Sequence, residues 1–267
     1  MTDLTRGLAS LYRRYNRRAY VHPDPLEMLY RYDSAEDQEI AGLLCACLAY
    51  GRVAQILAGV TRVLEPMTDG PRAFLERAAK PDLRRRYARF KHRFTPGEEV
   101  AHLLIGVKRA VADWGSLENL FSAGMSETDD TILPALALFV ERLRAYAGGQ
   151  SACPTLLASP RDGSACKRLN LYLRWMVRRD AVDPGPWRSV PRAKLIVPLD
   201  THMFKLSTAL GLTARKQADL KTALEITRGF ARCNSRDPVR YDFSLTRLGI
   251  NPACRDDDIQ CLLKGSR

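Results

Sequence analysis

The sequence predicts an all-α fold, on three observations. Apolar residues recur at helical spacing from one end to the other, alternating β-branched runs are few, and no Asn-Gly or Asp-Gly turn is flanked by such runs. With 267 residues, 46% hydrophobic and 27% charged, the chain has the material for a sizeable core. Two helical regions are expected, 1–150 and 151–267, divided at AYAGGQSACP, where Gly148 and Gly149 break the pattern.

In residues 37–49, Ile40, Leu43, Leu44, Cys47 and Leu48 mark one buried helix face, and Ser34 is placed to cap its start. The pattern stops at Tyr50-Gly51 and resumes with Val53, Ile56, Leu57, Val60, Val63 and Leu64 before Pro66. A helix-loop-helix with the turn AYGRV follows from this. Residues 82–94 put Tyr87, Phe90 and Phe94 on one stripe among Arg84, Arg85, Arg86, Arg89, Lys91 and Arg93, the pattern of a surface helix with a solvated basic face. Residues 98–113 and 131–147 are further amphipathic helices. The second half offers a helix from about Ser164 to Arg179, the Pro- and Gly-interrupted DPGPWRSVPRAK, and a helix beginning just after Asp200.

Forty-two Lys+Arg against thirty Asp+Glu give a net charge of +12, which makes nucleic acid the leading partner on charge alone. No apolar run approaches the ~20 residues of a membrane helix, and MTDLTRGLAS lacks the apolar core of a signal peptide. A soluble, cytoplasmic protein without membrane association is expected. Seven cysteines, an odd number in a chain of this length, suit free thiols in a reducing compartment. His22, His92, His102 and His202 form no ligand spacing, so no metal site is expected.

Residues 160–194 concentrate the charge, with nine Lys or Arg against three acids. The segment opens with SPRDGS, in which Pro160 and Gly163 can set a tight bend and Ser164 can cap the next helix. Such a turn presents backbone N–H groups at a helix N-terminus, a seat for phosphate. Ala165, Leu169, Tyr172 and Met176 mark the buried face of that helix, while Lys167, Asn170 and Arg174 share another. Lys167 falls in the first turn, where the positive helix end favours the neutral amine a nucleophile needs. Downstream, apolar Leu195, Ile196 and Val197 lead through Pro198 to Asp200, at the N-cap of the following helix. A capping carboxylate is fixed by N–H groups and stays ionised, and most such residues do nothing more.

A basic turn and helix bearing a lysine, followed by a proline-proximal Asp in PLDTHM that opens another helix, resembles the helix-hairpin-helix DNA glycosylase superfamily. The likeness is greatest to the 8-oxoguanine glycosylases, including their archaeal branch, where lysine and aspartate lie far apart as Lys167 and Asp200 do. EIAGLLCACLAYGRVAQILAGVTRVL is similar to the superfamily's helix-loop-helix whose turn enters the DNA. The likeness covers residues 35–65 and 155–250, and the whole chain also resembles a bacterial family to which no activity is assigned. It implies a helix-hairpin-helix and a cleft between two helical subdomains. Lys167 matches the nucleophile, Asp200 its acidic partner, and Tyr50, Gly51 and Arg52 the turn that fills or splays the duplex. Arg161, Gly163, Ser164 and Arg168 fall where phosphate is held. The superfamily's hairpin usually has two glycines, whereas SPRDGSACK has Gly163 alone. Cys254 and Cys261 resemble the first half of a four-cysteine iron-sulfur loop but have no complete partner set, so ordinary thiols are expected.

The resemblance implies a glycosylase with associated AP-lyase activity that excises an oxidised purine, 8-oxoguanine first, from double-stranded DNA, as a monomer and without a cofactor. DPVRYDFSL offers Tyr241 and Phe243 to stack on a flipped base and Asp237 or Asp242 to meet its edge. Packing of a C-terminal helix is the ordinary alternative, and the preferred one for Phe243. The competing function is a non-catalytic DNA- or RNA-binding helical module in which Lys167 meets phosphate only. A third is a helical scaffold whose charge keeps it soluble.

Overall fold

The computed structural model describes residues 3–250, and the fold is all-α. Its helices are α1 (Asp3–Tyr15), α2 (Ala35–Cys47), α3 (Val53–Leu64), α4 (Pro71–Arg77), α5 (Lys80–Tyr87), α6 (Gly97–Trp114), α7 (Leu117–Ser122), α8 (Leu133–Ala147), α9 (Lys167–Val177), α10 (Thr201–Ala209), α11 (Leu220–Cys233) and α12 (Asp242–Ile250). The β-structure among the described residues is one antiparallel hairpin, β1 (Lys91–His92) and β2 (Thr95–Pro96), with Lys91 opposite Pro96 and His92 opposite Thr95. Cys254 and Cys261 lie outside the described residues. Among the described residues no helix is long and apolar enough to cross a membrane.

Helix α2 is the axis of the molecule. Ser34 caps it by accepting from the Asp37 N–H at 3.1 Å, and α4 and α9 pack against it. The apolar spacing suggested one buried face, but every residue from Glu39 to Cys47 is buried, because neighbours cover the helix on all sides. Gly42 permits this crowding, since a Cβ there would stand 2.8 Å from Cε of Met176 in α9. Glu39, the polar residue in this run, accepts hydrogen bonds from Leu117 N–H (2.8 Å), Glu118 N–H (3.1 Å) and the Trp187 indole (3.1 Å), so it caps α7 from inside the core. Burial nevertheless pushes its carboxyl up to about 7.

The remaining helices pack around this axis, α6 against α5, α7 and α8, and α12 against both α1 and α10. Helix α8 ends at Gly148, whose φ of 127° is a glycine conformation, and Gly149 follows with φ 128°. The buried apolar residues on both sides of this break form one contiguous cluster, from Leu8 to Leu248.

One expected helix is corrected. Residues 82–94 are not a single helix: α5 stops at Tyr87 and the chain turns into the β1–β2 hairpin. The helical stripe breaks with it, because Tyr87 and Phe90 are buried whereas Phe94 is 75% exposed. Gly97 fixes the change of direction, the Tyr87 carbonyl lying where a Cβ would stand.

Candidate active site

The turn before α9 folds differently from a simple capped helix start. Ser159 Oγ accepts from the Arg161 N–H at 3.2 Å and opens a short 3-10 helix, Pro160–Asp162, which Gly163 ends with φ 72°. Ser164 is not the cap of α9. Its Oγ accepts from the Cys166 N–H at 3.1 Å, and Cys166, in the left-handed region with φ 47°, occupies the cap position without a side-chain bond to the helix. Lys167 is therefore the first residue of a helix whose N-terminus no side chain caps. Its Nζ donates to the Ala49 carbonyl at 3.4 Å.

Asp200 caps α10 as its spacing predicts, with Oδ1 accepting from the Met203 N–H at 2.8 Å. The segment before it is held by burial of Leu195, Ile196 and Val197 and by the Val197 N–H donating to Thr227 Oγ1 at 3.1 Å. Lys167 and Asp200, each half-buried at the start of a different helix, line one cavity of about 400 Å³. Tyr50 and Gly51 lie on the same wall system, as do Asp24, Arg174, His202, Asp242 and Arg247. A second groove, of about 510 Å³, shares Tyr50 and Lys167 with the first and is lined also by Gly163, Ser164, Cys166, Arg168 and Asp219.

Below the first cavity lies a buried ion network. Arg174 pairs with Asp242 and with Asp183 (3.1 Å). Arg178 pairs with Asp183, with Asp180 (2.8 Å) and with Asp237 (3.0 Å). Oδ1 of Asp242 is buried and has no hydrogen-bond partner among the described residues. Burial raises the Asp242 carboxyl above its ordinary value, the Arg174 charge opposes this, and the charges of Asp200 and Lys167 act on it in opposite directions. The three groups thus share one electrostatic environment. Arg247 closes the far wall by donating to Asp24 Oδ2 at 2.8 Å.

Several expected site residues are engaged in contacts of their own. Asp237 does not face the cavity lining; both its oxygens accept from Arg178 Nε, at 3.0 and 3.1 Å. Tyr241 and Phe243 are core residues, Tyr241 packed edge-on to Tyr12 and Phe243 lying under Arg174 and Arg247, so neither presents a ring for stacking. Arg161 is exposed and paired with Glu141 at 2.7 Å. Arg168 donates to the Cys47 and Thr155 carbonyls at 2.6 and 2.5 Å, which makes it a strut between α2 and the loop before α9. Tyr50 is also committed: its hydroxyl lies 2.7 Å from both the His92 carbonyl and Thr95 Oγ1. Gly51 has φ 102° and leaves room for Arg93, whose Cδ would be 2.8 Å from a Cβ. Arg52 is exposed at the N-cap of α3.

The charge excess of 160–194 is accordingly smaller at the surface than in the sequence, because Arg174 and Arg178 neutralise buried carboxylates. Arg174 was marked only as sharing a helix face with Lys167, whereas Lys167 and Asp200 were legible as site residues. Asp24 and Arg247 were not, since nothing local marks a pair separated by most of the chain. Among the described residues no group of His, Cys, Asp or Glu could hold a metal ion, and Cys45, Cys47, Cys153, Cys166 and Cys233 are free thiols.

No protein of curated function and no solved structure matches the chain. Residues 24–251 match a family described as a protein of unknown function, DUF2400. That span takes in both helix starts and the whole lining of the cavity except Pro23, and the chain belongs to the DUF2400 family.

Proposed function

We propose that the chain is a DNA repair glycosylase with associated AP-lyase activity, excising an oxidised purine, 8-oxoguanine first, from duplex DNA. The observation that carries this reading is the meeting of Lys167 and Asp200, from the starts of two helices, in one cavity that is also lined by Asp242, whose buried Oδ1 has no partner among the described residues. A base in a duplex is reached only by flipping it out, and a cavity of this size accepts a purine.

In the reaction the lone pair of Lys167 Nζ forms a bond to C1′, and the electrons of the glycosidic bond leave with the base, which takes up a proton. The Asp200 carboxylate, oriented by its cap bond, offsets the positive character of the sugar and accepts the proton that the attacking nitrogen loses. The sugar ring opens to a Schiff base, and loss of a C2′ proton expels the 3′ phosphate. Asp242 offers Oδ1 to the edge of the flipped base. Discrimination against the normal base then rests on a buried polar atom that only the damaged base satisfies.

A non-catalytic DNA- or RNA-binding module is the second reading, favoured by the uncapped start of α9 beside Lys167, which suits phosphate. Single-turnover assays on duplexes carrying 8-oxoguanine, an oxidised pyrimidine, uracil or an alkylated purine separate the two. Excision of 8-oxoguanine fastest, with strand cleavage, is the expected result. Binding to all four duplexes without excision of any base rejects the enzyme.

A further inference from the structure

Phe94 is the large apolar side chain that stands in solvent among the described residues, at 75% exposure. It sits with Arg93 at the two-residue tip of the β1–β2 hairpin. Arg93 has φ 52°, a conformation that hairpin tips normally give to glycine, so the turn holds a bulky cation at a strained position beside an exposed ring. The hairpin is not a loose loop. His92 is buried and stacks edge-on to Tyr50 with ring centres 4.7 Å apart, its Nε2 lies 3.1 Å from the Tyr50 carbonyl, and the Tyr50 hydroxyl reaches back to the His92 carbonyl. Gly59 lets it sit down on α3, since a Cβ there would be 3.0 Å from His92 Nδ1.

Tyr50 and Gly51 line the Lys167 cavity, and Arg93 packs on Gly51, so the tip stands at the rim of that cavity. The Arg93 guanidinium lies 5.5 Å from the centre of the Phe94 ring, exposed Lys91 and Arg89 lie close along the chain, and exposed Arg52 adjoins Gly51, on which Arg93 packs. A single rigid ring in a field of cations has the character of a duplex ligand, which offers phosphates outside and stacked planar bases within. A protein groove or a lipid surface would be met by a wider apolar patch.

We propose that Phe94 is the wedge that enters the base stack of duplex DNA beside the cavity, with Tyr50 and Gly51 as its support rather than the inserted residues. This rests on the reading that the cavity engages duplex DNA, and it assigns to Phe94 the duplex-filling role that the helix-loop-helix turn suggested for Tyr50, Gly51 and Arg52. Inserting the ring unstacks one step and holds open the space that an extruded nucleotide leaves.

The test uses the full chain with Phe94→Ala and Phe94→Trp. The probe is a duplex carrying 2-aminopurine next to a tetrahydrofuran abasic analogue, with a fully paired duplex and phosphatidylserine vesicles as comparisons. The wild-type chain should raise 2-aminopurine fluorescence. Phe94→Ala should lose most of that rise and about tenfold in affinity, as removal of one base–aromatic stack implies. Phe94→Trp should keep both, with its new indole quenched on binding. Thermal melting of each variant, expected unchanged for so exposed a side chain, controls for folding.

An Ala variant with wild-type fluorescence and affinity overturns the wedge, even where the wild-type chain excises a base; the enzyme reading then stands alone. A wild-type chain that opens the duplex through Phe94 but excises nothing keeps the wedge and removes the enzyme. Failure to bind either duplex, or Phe94-dependent binding to vesicles alone, overturns it.

Discussion

Lys167 and Ala49 are joined by a hydrogen bond of 3.4 Å from Nζ to the carbonyl oxygen, which ties the first residue of α9 to the chain just beyond α2. The acceptor is neutral, and among the described residues no carboxylate lies within ion-pair distance of the amine. So long a bond orients the lysine at the cavity without holding it firmly. Lys167→Gln should therefore lower stability by less than ~1 kcal/mol, leave duplex affinity within about threefold, and remove strand cleavage. A melting curve, a binding isotherm and a cleavage assay on the same preparation check this, and cleavage by the variant at the wild-type rate rejects the assignment.

Asp200 has two duties that substitution can separate. Asn retains an oxygen for the Met203 N–H but carries no charge, whereas Ala loses both. Asp200→Asn should fold like the wild-type chain and lose base excision by two or more orders of magnitude. Asp200→Ala should lose excision and about 1 kcal/mol of stability as well. Unfolding curves and single-turnover rates for the pair decide whether the carboxylate is more than a cap.

Arg178 is almost wholly buried, with Asp180, Asp183 and Asp237 around it. Removing it leaves Asp180 and Asp237 without their ion-pair partner and Asp183 with Arg174 alone, in a dry setting. Arg178→Met should cost about 3–5 kcal/mol, and Arg178→Lys should restore little of it, since an ammonium cannot reproduce the fork of donors. Denaturant unfolding measures the cost; a loss below about 1 kcal/mol would mean that the network contributes little to holding α9 beneath the cavity.

Glu39 gives a pH dependence of definite sign. Its carboxyl is pushed up from 4.5 to about 7 by burial, so the native state prefers the protonated form. The stability it contributes is complete below about pH 4.5, declines as pH rises toward 7, and is flat above. Glu39→Gln is fixed in the neutral form. The unfolding free energy of the wild-type chain should accordingly fall relative to that of the variant between pH 5 and pH 8, by roughly 2–3 kcal/mol. Parallel curves for the two proteins would place the titration elsewhere.

The elements that the sequence made legible are those written locally. Helices α2 and α3 follow from apolar spacing with a cap or a proline at the end, and Asp200 follows from its place between a buried run and a helix. The β1–β2 hairpin was hidden because Tyr87, Phe90 and Phe94 keep helical spacing by coincidence, and the turn at Arg93 lacks the glycine that announces a tight hairpin. Asp237 and Asp242 read locally as groups for the edge of a flipped base, because their ion-pair partners, Arg178 and Arg174, are 59 and 68 residues away. Long-range ion pairing leaves no trace in local periodicity, so the cationic segment 160–194 read as a binding surface although part of it is core. The cavity shows the same division. Lys167 and Asp200 could be named from local pattern, whereas Asp24 and Arg247 meet only through the packing of α12.

The most direct test of the central claim is borohydride trapping with a duplex that contains a single 8-oxoguanine, followed by peptide mapping of the adduct. A lysine amine that displaces the base passes through a Schiff base to the sugar, and reduction fixes that bond. The wild-type chain should give one covalent protein–DNA species mapped to Lys167, and Lys167→Gln none. A chain that binds the duplex but traps nothing, or an adduct that maps to another amine and persists in Lys167→Gln, contradicts the proposed chemistry.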